Sequence, residues 1–138
     1  MRIIVDANII LSALLKNGTT RKILLSREIN FYTIPFTISE VLKYDNLIKE
    51  KSGLTSYEIK IILNTILENI EILPLKKVNS NFARALKIMK NIDPNDAPIL
   101  AGAFSITNDG LWTNDKHLKL QKHAKVIDTK EMLATHFF

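Results

Sequence analysis

Runs of three or four apolar residues alternate with helical segments from one end of the chain to the other, and few folds accommodate that order. Ile3-Ile4-Val5 is closed by Asp6, Phe31 to Ile34 is stopped by Pro35, and Ile70 to Leu73 precedes Pro74. Leu111-Trp112-Thr113 follows the turn Asn108-Asp109-Gly110, and Lys125-Val126-Ile127 comes last. Such runs, short and apolar on successive residues, are the pattern of strands buried on both faces.

Between them lie helical patterns. Residues 8 to 15 are apolar nearly all round, which predicts a deeply buried helix. Gly18 ends it, and Thr19 or Thr20 can cap a second helix to about Glu28. Thr37 and Glu40 have the spacing of a capping box and predict a helix to about Lys51, broken by Gly53. Thr55 and Glu58 repeat that spacing and open a helix to Asn69. Ile59, Ile62, Leu63, Ile66, Leu67 and Ile70 line one face of it, with Ile61 roughly opposite. Ser80 can cap a helix to about Asn91, Asp93-Pro94-Asn95-Asp96 is turn chemistry, and a helix follows from about Pro98 to Ile106. A short helix is expected near Asp115 and a terminal one from Thr129.

Strands separated by helices imply right-handed crossovers, a parallel sheet and cover on both faces. The expected fold is a three-layer α/β/α sandwich with a short, mainly parallel sheet of about five strands, a single domain over residues 1–138. Hydrophobic residues at 46 % and charged ones at 24 % are globular composition and exclude disorder for most of the chain. No uncharged apolar run reaches the length of about 18 residues that a membrane span needs. An acid at position 6 comes too early for a secretory signal. The absence of cysteine excludes disulfides, thiolate metal sites and a cysteine nucleophile. A cytoplasmic location is therefore expected, and a net charge of +5 leans toward polyanionic partners.

In a sheet of this kind ligands gather outside the carboxyl ends of the strands. Asp6 directly follows the first strand, and Asp115 comes two residues after Thr113. Glu40 is expected in the first turn of the helix after the second strand. Asp96 must lie at the start of its helix, because Pro98 lacks an N–H and is tolerated only in the first turn. Singly, each acid reads equally well as a helix cap. Together they would crowd one edge, where carboxylates about 5 Å apart repel by about 3 kcal/mol at an effective dielectric near 20. Such a cluster either protonates in part or binds a cation, and an all-oxygen ligand set suits Mg²⁺ or Mn²⁺. A divalent ion that also takes phosphate oxygens is the setting for metal-assisted phosphodiester hydrolysis.

The segments Ile4-Val5-Asp6-Ala7-Asn8-Ile9-Ile10-Leu11-Ser12-Ala13-Leu14, Ser39-Glu40-Val41-Leu42, Asp93-Pro94-Asn95-Asp96 with Ile99-Leu100-Ala101, and Thr113-Asn114-Asp115 stand in a familiar order. In that order and spacing, over its whole length, the chain resembles a small prokaryotic PIN domain protein. The resemblance implies a Mg²⁺- or Mn²⁺-dependent endoribonuclease with an RNA substrate, of the type found as the VapC toxin of toxin–antitoxin pairs. A protein antitoxin and a homodimer are the further partners it implies. By the same resemblance Asp6, Glu40, Asp96 and Asp115 hold the metal and activate water, with Asn8 and Thr113 as polar supports. Asp93 either reaches a second metal or organises its turn, the plainer role. Leu118 stands where many relatives carry an aromatic residue, a difference that touches packing more than chemistry.

Residues 74 to 92 carry Lys76, Lys77, Arg84 and Lys87 with no acid among them, and Lys116 and Lys119 follow Asp115. These could grip RNA phosphates or form solvated helix faces. His117 and His123 read as surface histidines of a Lys-rich helix, Trp112 as core, and Phe137-Phe138 as cover for a groove or a subunit contact. Two rival functions have a basis in the same residues. An aspartate-nucleophile phosphohydrolase of the haloacid-dehalogenase type also begins with a strand and an aspartate, but it needs a second acid where Asn8 stands. A non-catalytic RNA- or partner-binding module on this fold would have no reason to set four acids against a polyanion.

Overall fold

In the computed structural model, which describes residues 1–136, five strands form one parallel sheet. They are β1 (Arg2–Val5), β2 (Asn30–Thr33), β3 (Ile70–Ile72), β4 (Gly110–Trp112) and β5 (Val126–Ile127), in the order β3-β2-β1-β4-β5. β1 lies at the centre, with Ile3 opposite Phe31 on one side and Gly110 on the other. Ile3, Ile4 and Val5 are all fully buried, as a central strand covered on both faces requires.

Alternation along β1 sends its side chains to two separate cores. Ile3 and Val5 join one built with α1 (Ala7–Leu15), α2 (Thr19–Leu24), α4 (Asp45–Ser52), α5 (Ser56–Glu68) and α9 (Thr129–His136). Ile4 joins the other, with α6 (Leu75–Ser80), α7 (Phe82–Met89) and α8 (Ala97–Phe104). Two helical layers around one sheet give the expected three-layer α/β/α sandwich. Each isoleucine or leucine so buried contributes about 1.5–3 kcal/mol of hydrophobic stabilisation. Trp112 is core, its ring 6.0 Å from that of Phe31 and its Nε1 donating to Thr129 Oγ1 at 3.0 Å. Leu118 is fully buried in the second core, and Ile61 is exposed.

Three local expectations need correction. The helix after β2, α3 (Pro35–Leu42), starts at Pro35 and not at Thr37, which lies buried inside it. Proline has its φ preset for the first helical position and needs no partner there, so it outcompetes the capping box two residues on. Glu40 therefore sits in the last turn of α3, and a turn at Lys43–Tyr44 separates α3 from α4. Gly53, in the left-handed region at φ 70°, closes α4. Ser80 ends α6 instead of capping α7, because its hydroxyl donates back to the Lys77 carbonyl at 2.7 Å. After Asp115 the chain makes only a single 3₁₀ turn, Leu118–Leu120, in place of a short α-helix.

Gly102 decides how closely α8 can approach the end of β2. A Cβ there would fall 2.5 Å from Ile34 Cγ2, so only glycine permits this packing. Among the described residues no helix is long and apolar enough to cross a membrane. Phe137 and Phe138 lie outside the described residues.

Candidate active site

The carboxyl edge of the sheet begins with Asp6. Its backbone N–H donates to the Trp112 carbonyl at 3.1 Å, and its side chain caps α1 through Oδ1, which accepts from Ala7 N at 2.7 Å. The second oxygen, Oδ2, accepts from the Thr113 hydroxyl at 2.8 Å and from Asn8 Nδ2 at 3.3 Å. Asn8 Nδ2 also donates to Thr113 Oγ1 at 2.9 Å, and Asn8 Oδ1 accepts from Asn114 N at 3.2 Å. Thr113 Oγ1 in turn accepts from Asp115 N at 3.0 Å. The loops after β1 and β4 are thus tied into one unit, with Thr113 wholly buried at its centre.

Asp6, Glu40, Asp96 and Asp115 line one cleft of about 270 Å³, together with Asn8, Leu11 and Tyr44. Glu40 reaches it from the last turn of α3, where Lys43 Nζ donates to its Oε1 at 2.9 Å. Asp96 occupies the N-cap position of α8, yet its side chain makes no capping bond. Its Oδ2 is buried and has no hydrogen-bond partner. A cap would have satisfied backbone donors, so capping does not account for this carboxyl.

The electrostatics of Asp96 and Asp6 follow from burial and from the carboxylates around them. Burial is the largest influence on Asp96. The close approach of the Asp115 carboxyl and the charges of Asp115, Asp6 and Asp93 add to it, and its pKa is pushed up to about 8. Asp6 is also raised, first by burial, with the charges of Asp115 and Glu40 outweighed in part by the hydrogen bonds from Thr113 and Ala7. A divalent cation at this edge would reverse both shifts by letting the carboxylates ionise together. The orphaned Asp96 oxygen and the all-oxygen donor set of the cleft fit a hard ion such as Mg²⁺ or Mn²⁺.

Asp93 organises its turn: Oδ1 accepts from Asn95 N at 3.1 Å. Its Oδ2 lies 3.6 Å from His117 Nδ1, which is also 3.3 Å from Asp115 Oδ1. His117, expected as a surface histidine, is exposed and yet stands beside two of the acids. The signal for it is Asp115-Lys116-His117, because an aspartate side chain often accepts from the backbone two residues on. Here His117 N donates to Asp115 Oδ1 at 2.9 Å and brings the imidazole back to the acids.

Of the basic residues, Arg84 and Lys87 line a groove of about 650 Å³ with Lys122, His123, Ile88, Ile92 and Leu120. The Arg84 guanidinium lies 4.0 Å from the centre of the Phe104 ring. Lys76, Lys77 and Lys116 are exposed. Lys119 Nζ is held by Asp128, at 2.8 Å, and by Glu131.

A family model described as PIN domain matches residues 4–136. No curated protein matches the sequence. Among solved structures, a chain in the crystal structure of VapBC2 from Rickettsia felis bound to a DNA fragment from their promoter has the same fold, with a TM-score of 0.70. The match covers 93 % of this chain and 98 % of that one at 18 % identity.

Proposed function

This chain belongs to the PIN domain family, whose members are generally nucleases, and on that footing we propose that it is a Mg²⁺- or Mn²⁺-dependent endoribonuclease. The observation that carries the proposal is the Asp96 carboxyl, with its buried and unpartnered oxygen, in a cleft shared with Asp6, Glu40 and Asp115. Those four acids would hold the ion. When bound, the ion supplies a Lewis acid for the phosphate and a water acidic enough to attack near neutral pH.

The remaining work falls to the chain's own side chains. Thr113 and Asn8 fix Asp6 Oδ2 by donating to it, so the carboxylate is oriented before any ligand arrives. The same two bonds, with Asn8 in place of a second acid, leave Asp6 poorly suited to be a nucleophile in its own right. Arg84 and Lys87 in their groove, with Lys76, Lys77 and Lys116, would bind RNA phosphates. Lys119, engaged by Asp128 and Glu131, is the weakest of the basic candidates.

The toxin role, an antitoxin partner, a homodimer, a cytoplasmic location and a single domain over residues 1–138 belong to the same proposal. They draw on the family and on the likeness of fold to the VapBC2 complex. Incubation with a circular RNA tests the nuclease reading, because only an internal cut can linearise it. With Mn²⁺ the wild-type protein linearises the circle, and Asp96→Asn, folded by circular dichroism, does not. Equal cutting by Asp96→Asn would refute the site.

A further inference from the structure

One atom able to bind a metal from each of Asp93, Asp96, Asp115 and His117 lies within 4.8 Å of all the others. Asp93 and Asp96 come from the turn before α8, and Asp115 and His117 from the loop after β4. Asp6 and Glu40 are absent from that group, although they share the cleft with Asp96 and Asp115. Asp96 and Asp115 therefore stand between two sets of partners. On one side are Asp6 and Glu40, which offer oxygen alone. On the other are Asp93 and His117, which add a nitrogen.

We propose that the edge holds two metal positions of unlike chemistry and that His117 is a nitrogen ligand of the second, completed by Asp93, Asp96 and Asp115. The inference rests on the metal-dependent reading above and extends it.

Three observations carry it. First, the imidazole sits between two carboxylates at ion-pair distance, with Nδ1 3.3 Å from Asp115 Oδ1 and 3.6 Å from Asp93 Oδ2. A charge-assisted N–H···O bond would close to about 2.7–2.9 Å. Contacts longer than that leave room for a cation shared by the ring and the carboxylates, whose ligand atoms all lie within 4.8 Å of one another. Second, the ring is positioned by its backbone. The His117 N–H donates to Asp115 Oδ1 at 2.9 Å, and Asp93 is held in the same way by Asn95 N. Third, Asp96 Oδ2 is buried with no partner, a polar atom that a ligand would satisfy.

The ligand types then indicate which ion prefers which position. Mg²⁺ takes oxygen ligands and keeps its waters, whereas an imidazole favours first-row transition ions. The His117 position should accept Mn²⁺ well and Mg²⁺ poorly. The side chain of His117 is 58 % exposed, so the position is open to a substrate oxygen.

Pulsed electron paramagnetic resonance of the Mn²⁺-loaded full chain reads nitrogen ligation directly. The wild type and His123→Gln should show nitrogen coupling to Mn²⁺, and His117→Gln should lose it. In calorimetry, His117→Gln should bind one Mn²⁺ at least tenfold more weakly, with Mg²⁺ affinity changed less than twofold. Asp93→Asn, which keeps the imidazole, should weaken the same ion, and it stands in if His117→Gln does not fold. Bound Mn²⁺ without nitrogen coupling in the wild type, or coupling that survives in His117→Gln, would overturn the second position and leave the nuclease reading standing. No Mn²⁺ binding at millimolar concentration would overturn both.

Discussion

The hydroxyl of Thr113 donates to Asp6 Oδ2 at 2.8 Å, joining residues 107 positions apart in sequence. The same oxygen of Thr113 accepts from Asn8 Nδ2 and from Asp115 N, so one buried threonine orients two of the four cleft acids. Thr113→Val keeps the shape and removes the hydroxyl. It should cost about 1–3 kcal/mol in urea unfolding, the penalty for polar groups left unsatisfied in a buried site. Mn²⁺ affinity should fall with it, and Thr113→Ser should restore both. Unchanged Mn²⁺ affinity in a folded Thr113→Val would remove threonine from the account of the site.

The raised pKa of Asp96 has a consequence for stability. With its folded pKa near 8 and an ordinary value of 3.8 when unfolded, the native state holds a proton that the unfolded chain gives up between those limits. Stability from this group is therefore fully present below about pH 4 and is lost as pH rises through 8. The melting temperature of the protein in EDTA should fall across that window on this account, and Asp96→Asn should flatten the fall. Excess Mn²⁺ at pH 7 should raise the wild-type melting temperature and leave that of Asp96→Asn nearly unchanged.

Gly102 offers a test of the packing that carries Asp96. Gly102→Ala would set a methyl group 2.5 Å from Ile34 Cγ2. The strain should cost about 1–3 kcal/mol of stability, measured by chemical denaturation. A cost near zero would mean that α8 shifts freely against β2.

The basic groove can be separated from the acids by kinetics. Arg84→Ala with Lys87→Ala should raise KM for RNA severalfold and leave kcat within about twofold, as expected when positioning contacts are lost and chemistry is not. The salt dependence of RNA binding should become shallower by about 0.7 in log–log slope for each phosphate contact removed. A fall in kcat with KM unchanged would place these residues in the chemistry instead.

Much of this architecture is legible in the sequence because strands buried on both faces leave unmistakable apolar runs. Ile3-Ile4-Val5 before Asp6 and Leu111-Trp112-Thr113 before Asp115 locate two acids at strand ends directly. Pro98 does the same for Asp96, since it bounds where α8 can begin. Glu40 was harder. Two start signals compete within three residues, and the proline prevails over the capping box, which shifts Glu40 from the first turn to the last. For His117 the spacing Asp115-Lys116-His117 signals only the local turn. Its place beside Asp93 depends on two loops meeting across the sheet edge, a tertiary fact that local spacing does not encode. The strand order β3-β2-β1-β4-β5 is likewise settled by packing between distant segments.

The central claim is that the cleft acids bind a divalent ion and that RNA is cut because of it. The rate of RNA cleavage by EDTA-treated protein, followed as Mn²⁺ is added back, tests it most directly. The account predicts no cleavage without the ion, a saturable rise with it, and no rise in Asp6→Asn or Asp96→Asn. Cleavage that persists in EDTA, or that Asp6→Asn supports as well as the wild type, would contradict it.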